Sequence, residues 1–532
     1  MAAQTATELE TYQSILIDAP HATSSAVSRE HRSPIQESSS SQLSPETLVV
    51  SKARTVTVVI HLLGLSLFSS FSNGIIVVGL PTISTALQLG EGLMLWPTSV
   101  FYLTAGSTLL LTGSIADVGG PKTINMVGAL LGATFALGCG LARNSGELIA
   151  FRALQGISNA LIVPSSISII STNVKDGRPR NLGFACLGLA GPIGFSLGLV
   201  LGGVFIDSIG WRPAFYFVGA STAVLFLTGF WILPPDRPQS VHSVWKRLAL
   251  EIGWVGAIVA SIGLATLSYI FATLSADVKN IHQPSSIALL TISGASIPAF
   301  IAWMHYQVKK NRTALIPNSL WRSFVFTSSC IMVLFATAVT NCMELYSSLY
   351  FQEVQSTSAL GASLRILPSL IAGAIINLST GLFVNRVPVM WSVFVTSVVS
   401  AVAPLLMAVI NPNQPYWYGA FFAQILTPLS CDVLFTVGLL VISDVFPSHT
   451  QALGGAVFNT CAQLGTAIGL SVTSLISTAV TDASGHADST SPDALLKGYK
   501  AVFWTLFAWM VLVSLVSVPG LKKVGHVGLK RD

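Results

Sequence analysis

The sequence predicts an all-α polytopic membrane protein of fourteen transmembrane helices, grouped six, two and six, with both termini in the cytoplasm. Three observations lead there. Of 532 residues, 52% are hydrophobic and 9% charged, whereas a soluble domain carries about 25% charged residues. The apolar residues gather in runs long enough to cross about 30 Å of hydrocarbon. The basic residues divide unevenly between loops: with the N-terminus inside, twenty of the 27 Lys and Arg fall on inner segments and five on outer ones. Arg152 and Arg365 lie within spans. This is the asymmetry of the positive-inside rule, and one span more or fewer would erase it.

The chain opens on a polar, Ser-rich stretch, residues 1–55, which reads as a disordered cytoplasmic tail without a signal peptide. Spans one to six, at about 57–80, 93–115, 122–142, 147–170, 181–206 and 213–234, build an N-terminal bundle over 56–234. Span one carries His61 near its start, read as a satisfied helix-end histidine. It ends in "FSNGIIVVGLPTIS", which holds Ser72 and Asn73. The junction of spans two and three reads "GSIADVGGPK". Gly113 there permits close helix contact. Asp117 is placed to face a helix N-terminus of the other half, a latch of ~0.3–2 kcal/mol, with Lys122 beside it. In span four, "FRALQGISNALIVPSS", Arg152, Gln155, Gly156 and Asn159 fall on one helical face. A charge within the bilayer is costly and usually faces a cavity.

Span five, "ACLGLAGPIGFSLGLVLGG", holds six glycines and a proline in nineteen residues. In water each interior Gly costs ~1 kcal/mol and Pro ~3 kcal/mol against Ala. In lipid the backbone must bond within the helix regardless. Ala190, Gly194, Gly198 and Gly202, four apart, then leave a bare face for close packing. Gly191 lies beside them, and Pro192 predicts a kink.

Polar segments at 235–249 and 306–322 bracket spans seven and eight (about 250–273 and 285–305), a linker over 235–322. The sequon Asn311-Arg-Thr313 falls on its inner side and is expected to stay without glycan. Spans nine to fourteen, at about 324–351, 358–384, 388–410, 416–443, 450–478 and 499–519, build a C-terminal bundle over 323–520. A tail, 521–532, follows. Glu344 sits in the outer part of span nine, with Asn341 and Ser348 on its face. Arg365 near the end of span ten is long enough to reach the surface. Asp432, near the middle of span twelve, is not, and is expected to face a cavity or a buried partner. Asn459 and Gln463 of span thirteen face either the substrate or a neighbouring helix. Trp96, Tyr102, Tyr350 and Trp417, near span ends, read as interfacial anchors. "GLFVNR" after span ten echoes the loop after span two. Such duplicated halves mark alternating-access transporters with a midplane site.

These motifs, with "GWRPAFYF", "SLYFQEVQSTSALGASLRILPS" and "GGAVFNTCAQLGTAIGL", make residues 55–520 resemble the fungal 14-spanning drug:proton antiporters of the major facilitator superfamily. The aminotriazole-resistance-like proteins and the efflux pumps found beside secondary-metabolite genes are the nearest in kind. The resemblance implies the major facilitator fold and secondary active export of small amphipathic organic compounds (drug, toxin or secondary metabolite) by proton antiport. It implies a substrate and proton pathway of Asn73, Arg152, Gln155, Asn159, Glu344 and Asp432, with Arg152 in proton coupling. It also implies conformational roles for Gly113, Asp117, Lys122, Gly191, Pro192, Gly194, Gly198 and Gly202. Two departures stand out. The first-helix acidic residue of the family falls at Ser72, so coupling passes to Asp432, Glu344 or both, or lapses. Val118 and Pro121 replace the basic residues expected near Asp117.

The expected partners are a small-molecule substrate, protons and the lipid bilayer, with no nucleic acid. The expected state is a monomer in the cell membrane, plasma rather than vacuolar. Rival readings on the same fold are uptake or facilitated transport of a nutrient, metal chelate or small inorganic acid, and a non-transporting sensor. All six cysteines lie in apolar stretches, without disulfide or metal spacing. With no nucleotide loop, His-rich cluster or nucleophile signature, neither an enzyme nor a cofactor or metal is expected.

Overall fold

In hydrocarbon, a helix is one of two structures that satisfy every backbone group of a spanning segment. The computed structural model describes residues 52–90, 93–174, 178–236, 253–276, 278–310, 320–383, 386–446, 448–484, 490–522 and 524–525. It contains 14 helices long and apolar enough to cross a membrane. The first bundle comprises α1 (Lys52–Leu87), α2 (Trp96–Gly119), α3 (Pro121–Leu141), α4 (Ser145–Asn173), α5 (Arg178–Ser208) and α6 (Trp211–Ile232). Between the bundles run α7 (Trp254–Ala276) and α8 (Pro284–Lys309). The second bundle comprises α9 (Phe324–Leu349), α10 (Ala359–Phe383), α11 (Val389–Ala408), α12 in two pieces (Ala420–Leu426 and Leu429–Val445), α13 (Ser448–Asp482) and α14 (Pro492–Leu521).

Helix ends follow from local chemistry. Asn144 Oδ1 accepts the Glu147 N–H at 2.9 Å while the Glu147 carboxylate accepts the Arg143 N–H at 2.8 Å, a variant of the capping box, displaced by one residue, that starts α4. At the start of α3 the Asp236 carboxylate accepts the N–H groups of Lys122 and Thr123, each at 2.9 Å. Gly120 turns the chain there at φ +93°, and a Cβ on it would lie 2.5 Å from Asp236. Lys122 Nζ donates to the Phe230 and Leu233 carbonyls at the end of α6. Lys122 therefore ties α3 to α6 inside one bundle, and among the described residues it makes no hydrogen bond to the other half. The Asp117 side chain and Asn311 lie outside the described residues.

The glycine-rich α5 packs backbone to backbone on α1. A Cβ on Gly194 would lie 2.9 Å from Leu67 C, and one on Gly198 2.8 Å from Phe71 C and Cα. A Cβ on Gly202 would lie 3.2 Å from Ile75 Cα, and α1 answers with Gly74, whose Cβ would lie 2.6 Å from Leu199 N. Two of the expected small-residue contacts are not made. A Cβ on Gly113 would find its nearest neighbour at 3.8 Å, and one on Gly191 at 3.9 Å, so alanine fits both. The close approach of α2 to α4 falls instead at Gly156, where a Cβ would lie 3.1 Å from Ala105 N. Helix α5 runs through Pro192 as one element.

The second bundle repeats the device. Gly465 and Gly469 of α13 would set a Cβ 2.7 Å from Leu334 C and Ala338 Cβ of α9. Helices α9 and α13 thus stand to each other as α1 and α5 do. The bundles meet where α2 packs on α13 and α5 on α10, and α7 lies against both α2 and α13. Hydrogen bonds across this seam cluster where α1 and α5 finish. Ser348 Oγ donates to the Val77 carbonyl (3.2 Å), Gln352 Nε2 to that of Val78 (3.0 Å) and Ser363 Oγ to that of Leu199 (2.8 Å). The Asp207 carboxylate of α5 accepts the N–H groups of Ala359 and Leu360 at 3.2 and 3.0 Å, capping α10. This sealed end lies opposite the "GSIADVGGPK" junction.

Candidate functional site

The first-bundle wall is organised by Arg152, which is fully buried on α4. Its Nε donates to the Pro97 carbonyl at 2.9 Å, and Nη1 to Gln155 Oε1 at 2.8 Å and Ser72 Oγ at 3.3 Å. Nη2 donates to Asn73 Oδ1 at 2.5 Å, and the guanidinium lies 4.6 Å from the centre of the Phe101 ring. Every hydrogen-bond partner is neutral. A buried cation otherwise costs several kcal/mol, and hydrogen bonds from all three guanidinium nitrogens are what make it tolerable. Ser72, at the position of the missing acidic residue, has become a ligand of the guanidinium.

The polar stripe expected on α4 divides three ways. Arg152 stands behind the wall, Gln155 faces a side pocket of about 20 Å³, and only Asn159 reaches the central cavity. Ser69 Oγ donates to Asn159 Oδ1 at 2.9 Å.

That cavity, of about 280 Å³, lies on the seam. It is lined by Asn73 and Asn159 from one bundle and by Asn341, Glu344, Asp432 and Gln463 from the other. Helix α12 breaks after Thr427, and Asp432 occupies the first turn of its second piece, where a helix N-terminus favours a carboxylate. Asn377 hydrogen-bonds that carboxylate and accepts from Thr436 Oγ1 at 3.0 Å, which fixes its orientation. Gly373 of α10 passes directly over it: a Cβ there would lie 2.7 Å from Asp432 Oδ2. Glu344 is near enough to Asp432 for their charges to interact. Asn341 Nδ2 donates to the Thr337 carbonyl at 2.9 Å and to Thr466 Oγ1 at 3.2 Å.

Several side chains stand elsewhere than their sequence position suggests. Tyr102 lines the cavity within electrostatic reach of Glu344 and Arg152, and Tyr350 is fully buried, so neither is an interfacial anchor. His61 is buried with both ring nitrogens unpartnered among the described residues, not satisfied at a helix end. Arg365 Nη1 donates to Gln355 Oε1 at 2.6 Å and its guanidinium lies 5.3 Å from the Phe351 ring centre, so it is held inward. Sequence reasoning missed Gly373, Asp207 and Glu353. The last lies in a π-helical turn, Tyr350–Val354, and accepts a hydrogen bond from the Tyr499 hydroxyl. Among the described residues no cluster of His, Cys, Asp and Glu could hold a metal ion.

Residues 62–469 match the Major Facilitator Superfamily. The chain is 37% identical over 525 residues to MFS-type transporter 1 of Pyricularia oryzae, covering 90% of this chain and 85% of that protein. Two Saccharomyces cerevisiae proteins are more distant. The low affinity ammonium transporter is 25% identical (78% of each chain), and the aminotriazole resistance protein is 24% identical (79% of this chain, 76% of that one). Among solved structures, a bacterial homologue of the human lysosomal transporter Spinster, inward-facing and unoccupied, gives a TM-score of 0.63 at 15% identity. The match covers 89% of this chain and 98% of that one. At that identity the likeness is one of fold.

Proposed function

The chain belongs to the Major Facilitator Superfamily, and we propose that it is a secondary active exporter of small amphipathic organic compounds, driven by proton antiport. The observation that carries this reading is the cavity itself. It sits on the seam of two duplicated bundles, with two carboxyls on one wall and a buried guanidinium behind the other. A proton carrier needs a carboxyl that gains and loses its proton near neutral pH. With no acidic residue at Ser72, that task falls to Glu344 and Asp432. When both carry charge they attract Arg152 of the facing bundle, and when both are protonated that attraction is gone. Proton binding is thereby linked to how the bundles sit.

With the N-terminus in the cytoplasm, the sealed end is the outer one and this conformer faces inward. Asp207 on the α10 N-terminus is a contact of ~0.3–2 kcal/mol, weak enough to break in every cycle. It supplies at the outer end the latch expected of Asp117 at the inner. One chain provides both walls of the cavity, so a monomer suffices, and the plasma membrane is where an exporter clears a cell. The aminotriazole resistance of one relative is what such export would confer. Uptake on the same fold is the second reading, favoured by the similarity to an ammonium transporter.

The test is reconstitution. Purified protein in liposomes loaded with a pH-sensitive dye should move protons against added compound, and Glu344→Gln or Asp432→Asn should stop it. Compound movement without proton movement would refute antiport, and none of either would refute transport.

A further inference from the structure

We infer that the cavity takes small organic cations: a protonated amine on a flat apolar body. The inference rests on the preceding reading only in treating this cavity as the binding site.

The two walls differ in chemistry. On the second-bundle wall Glu344 and Asp432 both face the cavity, and among the described residues no Lys, Arg or His lines it. Asn341 spends its amide hydrogens on the Thr337 carbonyl and Thr466 Oγ1, which turns its oxygen into an acceptor. This wall therefore offers acceptors and negative charge. On the opposite wall Asn73 and Asn159 spend their oxygens on Arg152 and Ser69, leaving amide hydrogens as donors. Arg152 offers no hydrogen bond to a ligand, because it is fully buried, Asn73 and Phe101 stand on the wall before it, and its nitrogens are engaged by protein acceptors; its single charge acts from behind that wall against two carboxyls that face the cavity directly. Aromatic side chains complete the lining: Phe101, Tyr102 and Phe195.

An ammonium group satisfies the carboxylate wall by charge-assisted hydrogen bonds, the strong kind. A cation beside aromatic rings gains further from their electron-rich faces. A carboxylate-bearing compound in the same place meets two like charges, which is how a site rejects the wrong partner. A neutral compound fills the apolar frame and leaves the carboxylates unpaired.

The test uses the full chain in lipid nanodiscs and three probes of one shape: phenethylammonium, 2-phenylethanol and phenylacetate, with affinity measured by titration calorimetry at neutral pH. The ammonium should bind at least ~10-fold tighter than the alcohol, the scale of one charge-assisted bond, and phenylacetate should bind weakest. Glu344→Gln and Asp432→Asn should each pull the ammonium-to-alcohol ratio towards one. That ratio does not depend on the folded fraction, and the wild-type ranking needs no variant. An alcohol or phenylacetate bound as well as the ammonium, an ammonium not bound at all, or a ratio unchanged in both variants overturns the inference. The transport reading is judged separately, in liposomes. If the ranking holds and no probe moves, export falls and the substrate class stands. If phenylacetate or the alcohol moves in preference, the class falls and transport stands.

Discussion

Replacing Gly198 by alanine places one methyl group in the α1–α5 seam. The new Cβ would lie 2.8 Å from Phe71 C and Cα, where ordinary contact begins at 3.4 Å. The Phe71 carbonyl oxygen lies closer still, and all three obstacles are backbone, so the helices must part by more than about 0.6 Å. The residues after Phe71 on α1 are Ser72 and Asn73, which hold Arg152. The Arg152 cluster lies beside that contact, and its bond to Ser72 Oγ, already 3.3 Å long, is the one least able to absorb a shift. Overpacking costs about 1–3 kcal/mol and a lost bond to a charged group about 1.5–3 kcal/mol. The change thus removes much of a stability of order 5–15 kcal/mol without abolishing the fold. Thermal unfolding of the purified protein should show a clearly lower midpoint, and proton-driven transport should fall sharply. Gly188→Ala on the same helix is the control. Its Cβ would meet nothing within 4 Å, and helix propensity predicts a change of at most ~1 kcal/mol in its favour. If Gly198→Ala and Gly188→Ala unfold at the same temperature and transport alike, close backbone packing is not what the glycines of α5 provide.

Three further outcomes follow from single contacts. Asp207→Ala leaves two N–H groups of α10 uncapped and should favour opening of the sealed end by ~1–2 kcal/mol, roughly 5–30-fold. A membrane-impermeant thiol reagent added on that side should then reach a cysteine at Ser70 faster, in a cysteine-free background, and an unchanged rate would contradict the latch. Gly373→Ala should reproduce the transport defect of Asp432→Asn although Asp432 is still present, because the methyl occupies the carboxylate's place; wild-type transport would show that this placement is idle. His61→Leu removes a buried side chain with two unpartnered nitrogens, a desolvation cost of ~1–3 kcal/mol. Its thermal midpoint should hold or rise with transport intact, and a well-folded variant that no longer couples protons would make His61 a proton carrier.

What was legible in the sequence is what neighbouring residues decide. Span length and polarity are summed along one segment, so helix ends could be placed to within four residues except at both ends of α1 and the start of α14, which run five to seven residues further. The four-residue glycine spacing of α5 is a property of one helix, and it pointed to the seam that Gly194 and Gly198 make. The same spacing at Gly465 and Gly469 was present in the sequence and could have been read in the same way. Residues defined by a second helix were not legible. Gly373 matters because Asp432 lies under it, and Asp207 because the first turn of α10 arrives beside it. Tyr102 sits near a span end, yet the second bundle encloses it. The α4 stripe is a matter of spacing within one helix, but that spacing does not say that Asn73 and Phe101 stand between Arg152 and the cavity, or that Gln155 faces a separate pocket.

The central claim is that two bundles rock about this cavity, opening one end as the other closes. Spin labels report it most directly, with one pair at Thr85 and Asn413 on the sealed end and another at Arg54 and Val387 on the opposite end. Distances are read by electron resonance in liposomes with and without a proton gradient. The account predicts reciprocal changes, the first distance lengthening as the second shortens. Two distances that stay fixed, or that change in the same direction, would contradict it.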